Sequence, residues 1–132
     1  MARDNVQVVR SAVAAANCGD REAALRFVHP AIVIDATRRA VNPTTYVGIE
    51  GIRRWFAEMR EVWESFRLEP IELFDAHDRV LLIGRLAGKG KASGARVGRP
   101  LAGLWTVRNG RIVRGEIGYT APEAFEAAGL AA

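Results

Sequence analysis

At 132 residues, with 49% hydrophobic and 26% charged residues, the chain has the length of one domain, residues 1–132, and the composition of a soluble globular fold. No apolar stretch approaches the ~20 residues of a membrane span, and the polar helical pattern after Met1 does not read as a signal peptide, so no membrane association and a cytoplasmic location are expected. The net charge of +4 is mostly arginine interleaved with acids, as at Arg53, Arg54 and Glu58, and no aromatic punctuates the basic region 85–99, which argues against nucleic acid as a partner.

Taken in chain order, apolar residues at Val6, Val9, Val13 and Ala16 predict a helix over 4–17. Gly19 suits its left-handed C-cap, and Asp20 suits the N-cap of a second helix over 21–28, which Pro30 ends. The run Ala31-Ile32-Val33-Ile34-Asp35 reads as a buried strand, and 36–48 as a polar loop without periodicity. Ile52, Trp55, Phe56, Met59, Trp63 and Phe66 recur at three- and four-residue spacing and predict a third helix with a wide aromatic stripe. Four strands follow at 71–76, 80–87, 100–108 and 111–119, with tight turns at His77-Asp78 and Asn109-Gly110 and a glycine-rich connection over 88–98. A short helix over 122–128 ends at Gly129. The order predicts an α+β fold: three helices of the N-terminal half packed on one face of an antiparallel meander.

Asp35 is the leading candidate for chemistry. A carboxylate leaving an apolar strand is solvated, paired, or left with a raised pKa, and the last outcome yields a base usable near neutral pH. The opposing reading pairs it with Arg38 or Arg39, or sets it to cap the following loop. Tyr46 and Tyr119 are candidate donors to a ligand, and Trp55, Met59 and Trp63 serve equally as core or as pocket wall. His29, His77 and Cys18 lack metal-ligand spacing, and no phosphate loop, dinucleotide fingerprint or serine-nucleophile motif occurs, so neither a metal nor a cofactor is expected. The single cysteine fits a reducing compartment.

Four segments carry a family resemblance. Ala14-Ala15-Ala16-Asn17-Cys18-Gly19-Asp20 looks like an A-x-N-x-G-D turn, and His29-Pro30-Ala31-Ile32-Val33-Ile34-Asp35 like an "HP-x-hydrophobic" first strand. Tyr46 to Arg53 matches the entry to a third helix, and Trp105 to Val113 a closing hairpin. In order and spacing they resemble the nuclear-transport-factor-2-like superfamily, in its SnoaL-like, polyketide-cyclase and ketosteroid-isomerase-like branch. The resemblance spans essentially the whole chain. It implies a cone-shaped curved sheet with the helices on its concave face, a cystatin-like α+β barrel. It also implies a small-molecule site inside the cone, and often a homodimer through the outer sheet face.

The same resemblance sorts the reactions. Asp35 falls where ketosteroid isomerases carry their general base, whereas Ala12 and Gly103 stand at the positions of their oxyanion-hole tyrosine and protonated aspartic acid. Lost oxyanion donors cost on the order of 3 kcal/mol each, so efficient ketosteroid isomerisation is not expected. The aspartate–arginine–aspartate set of limonene epoxide hydrolases is also incomplete, because alternation turns Glu116 away from the cone. Leu101, Gly103, Trp105 and Val107 on one strand, and Val113, Gly115, Ile117 and Tyr119 on the next, are expected to face inward. There the two glycines either widen the pocket or receive Trp55 and Trp63. Ala102, Leu104, Thr106 and Ile112, beside Arg114 and Glu116, are expected to form the outer, dimer-forming face. Two functions stay open: proton-transfer isomerisation, cyclisation or dehydration of a small apolar carbonyl compound with Asp35 as base, or non-catalytic ligand binding on a dimeric scaffold.

Overall fold

A computed structural model of the chain describes residues 4–18 and 21–130. Helix α1 (Asn5–Asn17) starts where the Asp4 carboxylate accepts the Gln7 amide at 3.2 Å, and it buries Val8, Val9 and Val13. At its other end Asn17 pairs with strand backbone much as another strand would: Nδ2 donates to the Leu68 carbonyl at 2.7 Å and Oδ1 accepts the Leu68 amide at 3.0 Å. Asn17→Ala is expected to cost about 1 kcal/mol through these two bonds, read as a lower urea midpoint at unchanged slope. The caps predicted at Gly19 and Asp20 lie outside the described residues.

Helix α2 (Arg21–Ala24) runs into a 3₁₀ turn, Leu25–Phe27, and strand β1 (Val28–Ala36) begins at once. Pro30 therefore lies inside a strand instead of ending a helix. The ladder between β1 and its neighbour is interrupted between Val28 and Val33, so the missing proline N–H falls where no bond is required. Strand β2 (Thr44–Val47) occupies part of the segment predicted as loop. Helix α3 (Gly48–Val62) follows, then β3 (Trp63–Ala76), β4 (Arg79–Gly90), β5 (Arg96–Arg108), β6 (Arg111–Tyr119) and α4 (Ala121–Ala127). The aromatic stripe is thus divided. The helix stops at Val62, Trp63 is extended at φ −112° and ψ 131°, and Trp63 and Phe66 belong to a long strand paired with β4.

The six strands are ordered β2-β1-β6-β5-β4-β3, with β1 and β6 parallel and the other neighbours antiparallel. This is the expected α+β arrangement with one correction: the curved sheet does not close into a barrel. Its concave face packs Ile32, Ile34, Tyr46, Val80, Leu82, Val107 and Ile112 against Val8, Val9 and Val13 of α1 and Ile52 of α3. The outer face carries a smaller cluster, Ala76, Leu81, Ala102 and Leu104, roofed by Ala124 of α4 and its C-cap Ala128. Thr120 and Glu123 start α4 with a reciprocal capping box. Ala102 and Leu104, expected as a dimer surface, are therefore covered within the chain.

Two irregularities in β6 revise the predicted faces. Asn109 and Gly110 both adopt positive φ, 53° and 77°, as the predicted tight hairpin requires. Beyond them the register passes from Val107↔Ile112 to Thr106↔Arg114, so Val113 is an extra residue and Ile112 turns into the core. A second shift, from Gly103↔Ile117 to Ala102↔Tyr119, occurs at Gly118, whose φ of 93° strains any residue with a Cβ. Tyr119 consequently leaves the concave side and packs with the outer cluster. On β5, residues 96–100 pair with β4 alone and are exposed, because the β6 ladder starts only at Ala102.

Candidate functional site

Alternation along β1 puts Ile32, Ile34 and Ala36 in the core, at 0–1% exposure. Asp35 must then face the other way, and it does. Its Oδ1 accepts the Thr37 amide at 3.0 Å and the Thr37 hydroxyl at 2.5 Å. Its Oδ2 lies 3.2 Å from both Arg38 Nη1 and Arg114 Nη2. The hydrogen bonds from Thr37, followed by that from Arg38, hold the carboxyl down at about 2, from an ordinary 3.8. Of the three outcomes open to this carboxylate, pairing is the one found, together with the capping of the Thr37 amide. Glu116, its register neighbour on β6, joins the network at 3.7 Å from Arg38 and 3.9 Å from Arg114. Tyr119 donates to Glu116 at 2.8 Å, and the Arg38 guanidinium lies 4.3 Å from its ring centre. Asp35 and Tyr119 thus sit in one cluster, but outside the concave face. Arg114 was missed as a partner; its i,i+2 spacing to Glu116 was the available signal.

Of the other predicted residues, Tyr46, Trp55, Leu101, Trp105 and Ile117 pack with the concave core. Tyr46 is wholly buried and stacks on Trp55 of α3 at 6.0 Å, and Trp55 stacks on Phe56 at 5.9 Å. Leu101, Trp105 and Ile117 are half-buried against the same core. Met59 is half-buried on α3, whereas Trp63 covers Gly88, where a Cβ would stand 2.7 Å from its ring. The two inward glycines accommodate neither Trp55 nor Trp63 but Trp105. A Cβ on Gly115 would lie 2.4 Å from Trp105 Cζ3, and one on Gly103 would lie 3.1 Å from Trp105 Nε1. That indole N–H is buried and has no hydrogen-bond partner. Ala12 packs half-buried against the core.

Tyr46 does not present a free hydroxyl. It donates to Glu58 at 2.5 Å and accepts from Arg39 Nη2 at 2.9 Å. Burial, then the bond to Glu58, pushes its pKa above the usual phenol value. Arg39, weighed from sequence as a partner for Asp35, bonds Tyr46 instead, and Glu58 carries no spacing that sets it apart from the other acids of α3. Among the described residues no group of three or more His, Cys, Asp or Glu is placed to hold a metal, and no helix is long and apolar enough to cross a membrane.

Comparison with known proteins fits this architecture. The SnoaL-like domain matches residues 9–115, which takes in α1 from Val9 onward, the concave wall up to Gly115 and the Asp35 strand. The chain belongs to the SnoaL-like domain family. No protein of curated function matches it. Among solved structures, this SnoaL-like protein resembles an NTF2-like protein from Burkholderia thailandensis at 28% identity and TM-score 0.77, over 98% of this chain and 100% of the other. A polyketide-cyclase-like protein from Sinorhizobium meliloti is 26% identical with TM-score 0.66, over 84% and 93%. Another from Pseudomonas putida shares the fold at 18% identity and TM-score 0.78, over 95% and 98%.

Proposed function

We propose that this SnoaL-like protein binds a small, largely apolar molecule on its concave face through a carbonyl-type acceptor held by Trp105. The observation that carries this reading is the Trp105 indole N–H, buried without a partner beside Gly103, whose missing side chain makes room for the indole itself. A buried donor left unpaired costs on the order of 1–3 kcal/mol, and a ligand acceptor recovers that cost. Trp55, Leu101 and Ile117 supply half-buried apolar surface for the rest of the molecule. Family membership and the polyketide-cyclase-like relatives support a small-molecule ligand of this kind.

A proton-transfer enzyme with Asp35 as base is the second reading, favoured by the place of Asp35 at the end of the first strand. It requires the carboxylate to leave Thr37, Arg38 and Arg114 and to cross to the other side of the sheet, so binding without Asp35 chemistry fits the geometry better. The test is a thermal-shift and NMR screen against small cyclic ketones and enones. A hit is expected to move the Trp105 indole N–H resonance and to bind about tenfold more weakly to Trp105→Phe, the value of one hydrogen bond. A hit that leaves this resonance unmoved and binds Trp105→Phe equally well removes the proposal.

A further inference from the structure

A different site lies on the rim, where the loop joining β1 to β2 faces α3. Arg39, Asn42, Pro43, Thr44, Arg54 and Glu58 line a cleft of about 400 Å³ there. Arg39 is half-buried. Its Nη2 donates to the Asn42 carbonyl and to the Tyr46 hydroxyl, both at 2.9 Å, while its Nε is buried and lacks any partner. Among the described residues Arg39 forms no ion pair within 4.0 Å.

The only carboxylate of the lining is already engaged. Glu58 Oε1 accepts the Tyr46 hydroxyl at 2.5 Å, and Oε2 lies 3.7 Å from Arg54 Nε. Both guanidinium groups lie against the Tyr46 ring, Arg54 at 4.8 Å and Arg39 at 5.6 Å from its centre, so they converge on one place. Two cations against one carboxylate leave a single positive charge unbalanced in the lining. An arginine withdrawn from water gains most from a planar anion that takes two donors at once.

We propose that this cleft binds the carboxylate of a small organic monoanion, with Arg39 as its principal anchor and Arg54 as the second cation. One unbalanced charge sets the preference for a monoanion, the unpartnered Nε supplies the missing donor, and the volume falls in the range of small-ligand sites. The site uses none of Trp105, Gly103 or Ile117 and does not depend on the reading of the concave face.

The test is a titration of the full ¹⁵N-labelled chain with sodium benzoate, benzamide or inorganic phosphate, following the arginine Nε–H resonances. Benzoate is expected to move the Arg39 Nε–H signal saturably below ~10 mM, and benzamide to leave it still. Arg39→Lys, which keeps the charge but not the fork, is expected to weaken binding about tenfold or more. Arg54→Gln, at a side chain 54% exposed and so tolerant of change, is expected to weaken it severalfold. An Arg39 signal unmoved by benzoate overturns the proposal, as does an equal response to benzamide, a response to phosphate alone, or undiminished binding by Arg39→Lys. If Arg39→Lys does not fold, the wild-type signal and Arg54→Gln decide. The Trp105 indole resonance in the same spectra reports the concave face separately, so failure of one site is not mistaken for failure of the other.

Discussion

Gly115→Ala is expected to destabilise the fold by about 3 kcal/mol, the upper range for forcing a methyl group into a filled core. The added Cβ would stand 2.4 and 2.7 Å from Trp105 Cζ3 and Cε3, and 2.8 Å from Ile34 Cδ1. Ile34 is wholly buried and has no room to retreat, and Trp105 lies between Gly115 and Gly103. The strain therefore has no exit through one flexible side chain. The decisive measurement is a double-mutant cycle by urea unfolding. Trp105→Leu carries its own cost, but in combination with Gly115→Ala the part of the clash against the indole is absent and only that against Ile34 remains, so the pair should cost at least about 1 kcal/mol less than the two separate costs added. Strict additivity would show that Gly115 is not shaped by the tryptophan.

Asp35→Asn is expected to cost about 1.5 kcal/mol at pH 7 and only a small part of that near pH 2. The folded carboxyl is depressed to about 2 from 3.8, so the folded state binds its proton less readily than the unfolded one. Its stabilisation is fully present above pH 4 and disappears as the pH falls through 2. The figure is reduced from the full shift because Arg38 and Arg114 are 34% and 44% exposed and their attraction is screened. Urea midpoints of wild type and variant between pH 2 and 7 check the window. Affinity for a concave-face ligand should change less than twofold in the same variant. A collapse of that affinity would return Asp35 to the ligand site.

The aromatic and apolar periodicities identified nearly every element, because a helix or strand with one buried face must repeat at its own spacing. The errors fall where a period survives a change of structure. Trp63 and Phe66 continue the three-and-four spacing of α3, and no glycine or proline marks the junction after Val62. β2 is four residues long, too short to show alternation. Tyr119 was assigned its face by counting in twos, and one extra residue at Gly118 reverses the count. For Asp35 the necessary signal was present: with Ile32 and Ile34 inward, the next residue faces out. Reading the run as uniformly buried obscured it. The orphaned donors of Trp105 and Arg39 had no signature in sequence, since whether an N–H finds a partner depends on residues brought together by folding.

The bare stretch of β5 bears on how the protein behaves in company. Residues 96–100 offer backbone donors and acceptors along one side with no strand to receive them, the usual invitation to a neighbouring molecule's strand. Arg96, Arg99 and Pro100 sit on that stretch: two like charges repel an identical copy, and the proline cannot donate. These three side chains thus discourage edge-to-edge pairing along this stretch, and salt, by screening the two arginines, weakens the repulsive part of that protection.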